Sequence, residues 1–346
     1  LTHTIVDIAR EAKVSTATVS RVINNHPHVS PKTRSKVIEV MEKSNYQPDL
    51  IARSMVKKRS NNIGLIVGSL SNPFYAETAQ LITSVANQYH SHVTLCCTGD
   101  DDSPAEQEKF ILFLSQRRVD GIIIGSIRRQ DEKLLELLKQ VPCVLYNKRL
   151  DSGHMDYVVL DNKNGAFQAV QHLIEAGHTR IGFLHGPTAL SSTSYERYQG
   201  YMETMNKYNL SVREEWVHEI HYHRAKKEIP RSIQIMMSSR YKPTAIFATM
   251  DWMALIALGF LSDNGYRIPD DIAVVGFDNI DMASLGFIQL TTVEQRKEEM
   301  ARLAIERLMQ KIDNPESANG TFQIVLKPNL VKRNTCGSSR ETRWPH

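Results

Sequence analysis

The chain has 346 residues, 41% of them hydrophobic and 23% charged, with a formal net charge of +4. That length suits a small domain joined to a large one, or two to three domains, in an ordinary globular protein. No apolar run reaches the roughly eighteen residues of a membrane helix, and the N-terminus LTHTIVDIAREA carries acids where a secretory signal has an apolar core, so a cytoplasmic protein with no membrane partner is expected. Cys96, Cys97 and Cys143 lie in apolar strand-like runs and Cys336 in the polar tail, without any C-x-x-C; they read as idle thiols in a reducing compartment. The charge is uneven: residues 1–60 hold eleven Lys/Arg against five Asp/Glu, a balance of +6, while the remainder is near neutral. A basic head of this kind suits a polyanionic partner.

Within the head, Thr4 can cap a helix with Asp7 as its capping-box partner, and Ile5, Ile8, Ala9 and Ala12 form one apolar stripe. Lys13-Val14-Ser15 then leads to a second short helix whose inner stripe is Val19, Val22 and Ile23. Its outer face is small: Thr16, Ala17 and Thr18, with a single Arg21. Two short helices joined by a tight turn describe a helix-turn-helix. A bare outer face lets the second helix approach the floor of a major groove ~12 Å wide, where one arginine forks onto guanine O6 and N7. Ala17 has no hydrogen-bonding group and reads only a thymine methyl. Ser30 and Pro31 open a third helix, with Val37, Ile38 and Met41 expected inward. Asp49 caps a segment to about Val56, too short to be stable alone. It should order only when bound, with Met55 as an apolar wedge between base steps of the minor groove.

TIVDIAREAKVSTATVSRVINN followed by SPKTRSKVIEVMEKSNYQPDLIARSM resembles the head of the lactose/galactose repressor family, in its purine-repressor-like branch. The resemblance implies a bacterial, nucleoid-associated homodimer whose recognition helices read two half-sites of a near-palindromic operator in double-stranded DNA. By position it makes Thr16, Ala17 and Arg21 the base readers. Ser15 and Thr18 hold phosphate, Tyr46 supports the hinge and Ala52 lies near the minor groove. Met55 stands where the family usually has leucine.

From residue 63 onward, apolar strands alternate with helices: IGLIVG, HVTLCCT, DGIIIGS and PCVLYN, then RIGFLHG, a strand near 216–220, AIFATMD and DIAVVGFDN. Late elements at 291–311 and 322–333 return to the sheets. Two such series predict two doubly wound α/β subdomains with parallel sheets. The boundaries expected are a helix-turn-helix domain at 1–48, a hinge helix and linker at 49–62, and a core at 63–335. A polar tail follows at 336–346. Within the core, the first subdomain takes about 63–160 and 291–322, and the second about 161–290 and 323–335.

Ligands of such sheets sit beyond the carboxyl ends of the strands, which here carry Asn72, Ser126, Asn147, Lys148, Arg149, Asp251 and Asp278. SNPFYAE, AGHTRIGFLHG, ERYQGY, PTAIFATMDWMALIAL, IPDDIAVVGFDN and LTTVEQ extend the family resemblance through the body, whose fold is that of periplasmic binding proteins. It implies effector contacts from Phe74, Tyr75, Asn147, Arg149, Asp161, Ser191, Thr193, Arg197, Tyr222 and Asp278. Met250 stands where sugar-binding members have a polar residue. Lys148, Arg149 and Arg197 point to an acid on a hydroxyl-bearing effector, so a sugar, sugar acid or sugar phosphate is expected.

The histidines of HEIHYH, at 218, 221 and 223, lack an evident third metal ligand, and the acidic run 100–102 reads as a solvated loop. No metal, cofactor or catalytic residue is expected, since no phosphate-binding, nucleophile-elbow or metallopeptidase motif occurs. The tail NTCGSSRETRWPH has no heptads, which favours a dimer over a tetramer. In the family's catabolite-control branch the co-regulator is a phosphorylated carrier protein that docks near helix 296–311. Here that helix reads as ordinarily amphipathic.

Overall fold

A computed structural model describes residues 3–46, 59–99, 103–151, 154–316 and 320–337. The expected hinge helix with Ala52 and Met55, the acidic run 100–102 and the end of the tail lie outside the described residues. The chain forms two compact units, Leu1–Ser60 and Asn61–His346.

In the first unit, α1 (Ile5–Glu11), α2 (Thr16–Ile23) and α3 (Pro31–Lys43) each open on a hydroxyl cap. Thr4 and Asp7 exchange the two bonds of a capping box; Ser15 and Ser30 accept from the backbone N–H of Thr18 and Thr33. The caps satisfy amide donors that a helix start otherwise leaves orphaned. Ile8, Ala9, Ala12, Val19, Val22 and Val37 make a small core, against which Tyr46 packs. The inward stripe of α3 is Val37, Val40 and Met41, so Ile38 turns outward and is 42% exposed, contrary to the expectation from sequence.

In the second unit the elements run β1 (Asn62–Val67), α4 (Pro73–Gln88), β2 (His92–Cys97), α5 (Pro104–Gln116), β3 (Gly121–Ile124), α6 (Glu132–Leu138), β4 (Cys143–Tyr146) and β5 (Tyr157–Leu160). They continue with α7 (Asn162–Glu175), β6 (Ile181–His185), α8 (Ser192–Lys207), β7 (Val217–Glu219), α9 (Ala225–Ser238), β8 (Ala245–Ala248), α10 (Asp251–Asp263) and β9 (Ala273–Asp278). Last come β10 (Thr291–Glu294), α11 (Lys297–Asp313), β11 (Gln323–Leu326) and β12 (Asn329–Val331). Two six-stranded sheets result, ordered β11-β5-β4-β3-β1-β2 and β12-β10-β9-β8-β6-β7. Among the described residues only the β10–β12 pair is antiparallel. Their central strands are buried along their whole length, as in parallel sheets covered on both faces.

Two late strands exchange places relative to the sequence reading. β10 pairs with β9 in the second sheet, Thr291 opposite Val275, whereas 291–322 was expected in the first subdomain. β11 pairs with β5 in the first sheet, Gln323 opposite Tyr157, whereas 323–335 was expected in the second. Four-residue strands carry too short a pattern to name their partner. The chain therefore crosses between sheets three times, at residue 161, at 295–296 and at 327–328. Cys336 is also not a tail residue: it is fully buried, with Sγ 3.0 Å from His172 Nε2 and 3.0 Å from Thr291 Oγ1. All four cysteines are free thiols.

Asp156 ties the first sheet to its late elements. Its carboxylate accepts from Arg307 Nε at 2.8 Å, from the Phe322 amide at 2.8 Å, and pairs with Lys311 at 3.1 Å. Burial alone would raise this carboxyl; the amide and the two cations outweigh it and hold it below the usual carboxylate range. A depressed carboxylate adds stability above its unfolded value and loses it as pH falls through the folded one. Asp156→Asn is expected to cost about 3 kcal/mol in urea unfolding at neutral pH. The difference from wild type should shrink below about pH 4; one that does not change with pH would show that the charge is not the tie.

Candidate nucleic-acid interface and ligand cleft

On α2, Ser15, Thr16, Ala17 and Arg21 are exposed and Thr18 is half-buried. Ser15 Oγ lies 2.9 Å from Thr18 Oγ1, so the two hydroxyls expected at phosphates first organise the helix start. Arg34 braces the turn after α2, its guanidinium donating to Asn25 Oδ1 at 2.6 Å and to the His26 carbonyl at 2.7 Å.

In the second unit the geometry converges on Arg197, which is 2% exposed. It lies on the inward face of α8. Nε donates to Asn162 Oδ1 at 2.9 Å, Nη1 to the Thr249 carbonyl at 2.5 Å, and Nη1 lies 3.5 Å from Asp278 Oδ1. The guanidinium carbon stacks 3.6 Å above the Phe277 ring centroid. Among the described residues Nη2 has no hydrogen-bond partner. Asp278 also accepts from Gln295 Nε2 at 2.5 Å. Asp278 adopts φ +128° and Asn279 φ +51° at the carboxyl end of β9, and Asn147 adopts φ +61° after β4. Such conformations persist only where the surroundings impose them. Asp251, at the start of α10, accepts from Thr292 Oγ1 at 2.5 Å and from the Ile280 amide at 2.9 Å. Burial pushes its carboxyl up to about 7, with the Asp278 charge adding; burial also raises Asp278, to about 6, against the pull of Arg197.

Beside this network is a narrow pocket lined by Gly68, Ser69, Asn72, Tyr75, Tyr222, Met250 and Trp252, among others, with a cavity volume of about 30 Å³. Tyr75 and Tyr222 come from opposite subdomains. The Tyr75 ring lies on Gly68, and the Tyr222 hydroxyl lies over Gly186; a side chain at either glycine would collide. Tyr222 also bonds Ser194 Oγ at 3.2 Å.

The residues expected around an effector fall into three groups. Tyr75 and Tyr222 line the pocket, and Arg197 and Asp278 form the buried pair beside it. Asn147 is buried, and its Oδ1 has no hydrogen-bond partner among the described residues. The others are used elsewhere. Phe74 packs in the core, Ser126 bonds Thr98, and Asp161 caps α7. Ser191 caps α8 and bonds Thr193 Oγ1 at 2.8 Å. Asp251 spends both carboxylate oxygens in the interior. Arg149 is held by Glu196 at 2.7 Å. The sequence reading missed Trp252, Gln295, Asn162 and Glu196. Gln295 directly follows β10, whose sequence TTVE ends on a charge, so no apolar run marks it as a strand end.

Several bonds cross between the subdomains. Arg129 lies 3.7 Å above the Tyr195 ring, donates to the Thr188 carbonyl, and its own amide bonds the Leu190 carbonyl at 2.9 Å. The Arg149 amide donates to Ser192 Oγ at 3.2 Å. At the other side, Lys297 bridges Glu77 and the Asn279 carbonyl, and Glu77 accepts from the Asp281 amide at 2.9 Å. Among the described residues no three His, Cys, Asp or Glu side chains are grouped to hold a metal. The His218 ring bonds the Glu215 carbonyl and His221 faces Glu228. No described helix is long and apolar enough to cross a membrane.

Comparison with known proteins fits both units. Residues 4–49 match the bacterial regulatory proteins of the lacI family, and residues 170–336 match the periplasmic binding protein-like domain. The chain is 32% identical to the HTH-type transcriptional repressor PurR of Aliivibrio salmonicida, over 95% of this chain and 98% of the relative. It is 34% identical to catabolite control protein A of Priestia megaterium, over 95% and 97%. The crystal structure of the lac repressor dimer bound to operator and the anti-inducer ONPF superposes with a TM-score of 0.84 at 28% identity, covering 97% of this chain and 99% of that one. A complex of the transcriptional regulator CelR with cellobiose gives 0.71 at 29%, covering 96% and 99%. The chain belongs to the LacI family of transcription regulators: it is a DNA-binding repressor with an effector-binding core, and not an enzyme.

Proposed function

We propose that this repressor binds a near-palindromic operator as a homodimer and is controlled by a small sugar-class metabolite in the cleft of its core. The buried Arg197–Asp278 pair beside the aromatic pocket carries the effector half of this reading. Nη2 of Arg197 has no hydrogen-bond partner among the described residues, and Nε reaches Asn162, the residue directly after the first crossing between sheets. Asp278 is bonded by Gln295, which lies in the second crossing. A ligand that engages this pair pulls on both crossings. It shifts the arrangement of the subdomains only by its differential affinity for the two states.

For the DNA half, the exposed face of α2 supports Thr16, Ala17 and Arg21 as base readers, with Ser15 and Thr18 at phosphates and Tyr46 bracing the segment that follows. Ala52 and Met55 keep their proposed place at the minor groove. The domain at 1–48, the hinge at 49–62 and the core from 63 belong to the same reading.

A phosphorylated carrier protein as co-regulator is disfavoured by the cations near α11. Arg296 pairs with Glu299, Lys297 with Glu77, Arg302 with Glu306, and Arg307 and Lys311 with Asp156. Each of these cations already has an acidic partner within the chain.

Dimer formation is supported by apolar exposure. Phe287 is 87% exposed, with Met282 and Leu285 in the same loop before β10; Leu95 on the edge strand β2 and Leu112 on α5 are also exposed. Large exposed apolar side chains in clusters mark association surfaces.

Operator affinity is expected to fall steeply between low and moderate salt, because phosphate contacts release counterions. Arg21→Ala should cost about 1–3 kcal/mol on the operator and little on random DNA. Fluorescence anisotropy with both duplexes checks this; equal losses on the two would remove Arg21 from base reading. Phe287→Asp should shift the protein from dimer to monomer in analytical ultracentrifugation, and an unchanged dimer would place the interface elsewhere.

A further inference from the structure

We propose that the core carries a second DNA surface, separate from the recognition helix: the outer face of α9 holds the phosphate backbone of a duplex without reading its sequence. The inference uses membership of a DNA-binding family and is independent of the effector and of the dimer.

The charge distribution argues first. Residues 221–242 hold six Lys/Arg, namely Arg224, Lys226, Lys227, Arg231, Arg240 and Lys242, against one acid, Glu228. The rest of the chain from residue 61 holds 25 against 32. A balance of +5 over 22 residues is denser than the +6 of residues 1–60, and it stands in a body that is otherwise acidic. All six cations are exposed.

The local fold argues second. α9 buries Ala225, Ile229, Ser232, Ile233 and Met236. That leaves Lys227, Arg231 and Ile235 outward at helical spacing, with Arg224 at the cap. Glu228 is taken by His221, accepting its amide at 2.8 Å and lying 3.5 Å from its Nδ1. Among the described residues none of the six cations pairs with an acid. Lys226 and Lys227 occupy the first turn, where the helix dipole repels cations; the fold gains nothing from them there, whereas a polyanion does. At the other end of the helix, Arg180 donates to the Lys242 carbonyl at 2.7 Å. The exposed Tyr241 ring lies 4.1 Å from the Arg213 guanidinium carbon and 5.5 Å from that of Arg240. The neighbouring acids are engaged as well: Glu215 accepts from Ser239 Oγ at 3.2 Å and Glu219 from the Thr188 amide at 3.3 Å.

The occupant follows from the charge pattern. A duplex presents about one charge per 1.7 Å of axis, a continuous array that complements a row of unpaired cations. An acidic protein would bring an apolar centre to the contact, and here Ile235 and Tyr241 are the exposed large apolar side chains. DNA held by the head raises the concentration of duplex around the core, so individually weak backbone contacts suffice. The face is also distinct from the Phe287 loop. β7, which precedes α9, is the edge of the second sheet, with β6, β8 and β9 between it and β10.

The experiment uses the full chain with Thr16→Glu and Arg21→Glu, which set negative charge on α2 against DNA. Binding of a fluorescein-labelled duplex of random sequence is followed by anisotropy from about 50 mM to about 200 mM salt. This head-blocked chain should still bind the duplex at low salt and release it as salt rises. Adding Lys226→Glu, Lys227→Glu and Arg231→Glu should weaken the remaining binding about tenfold or more and reduce the slope of log affinity on log salt by about 3. All five positions are on the surface, and circular dichroism with the melting temperature confirms that both variants fold. Polyglutamate is the competing probe and should bind the head-blocked chain more weakly than the duplex does. The proposal is overturned if the head-blocked chain binds no duplex at low salt, or if the three core reversals leave its affinity unchanged. Tighter binding of polyglutamate than of duplex would also overturn it, and would make the partner an acidic polypeptide.

Discussion

A guanidinium held at 2% exposure needs partners, and those given to Arg197 organise the core. Its face lies on Phe277, its edges reach Asn162 and Thr249, and its charge meets Asp278. Those partners come from the start of α7, the end of β8 and the end of β9, so one side chain on α8 joins three other elements. An isolated buried ion pair returns little net stability, because desolvation consumes most of the attraction. A pair held by several further hydrogen bonds fixes geometry instead. That geometry is what a ligand site requires.

The pair stands on a second buried carboxylate. Asp251 binds the Ile280 amide and the Thr292 hydroxyl, and so locks the start of α10 to the loop after β9 and to β10. Gly276 is placed where a side chain would strike that carboxylate. Arg333 extends the network by donating to Asn279 Oδ1 at 2.7 Å and to the Leu290 carbonyl at 2.7 Å. The bonds between subdomains at the rim are of another kind. Arg129, Arg149 and Lys297 reach across on long side chains or single backbone bonds, which can be made and broken as the two halves move.

Most of the architecture was legible in the sequence, because contiguous apolar runs buried on both faces signal parallel strands whatever their neighbours. The capping signals at Thr4, Ser15 and Ser30 were equally local and equally readable. What failed was long-range or short-patterned. β10 and β11 have four residues each, and nothing within them says which sheet they join. β5 was not read as a strand of its own. Cys336 looked solvated because its neighbours are polar, yet it is buried against His172, distant in sequence. At the cleft, residue type showed which side chains were capable of binding, but not which had already been spent. The partners that Arg149 and Asp251 find, Glu196 for the one and Ile280 and Thr292 for the other, lie on elements distant in sequence.

The most direct measurement is a double-mutant cycle on the central pair, with Arg197→Met, Asp278→Asn and the double variant unfolded in urea. If the pair is the constraint on which the floor depends, each single change strands a buried partner and costs about 3–5 kcal/mol. The double variant should then be clearly more stable than the sum of the two losses predicts. Losses that simply add would show that the two side chains act independently, and would contradict the account.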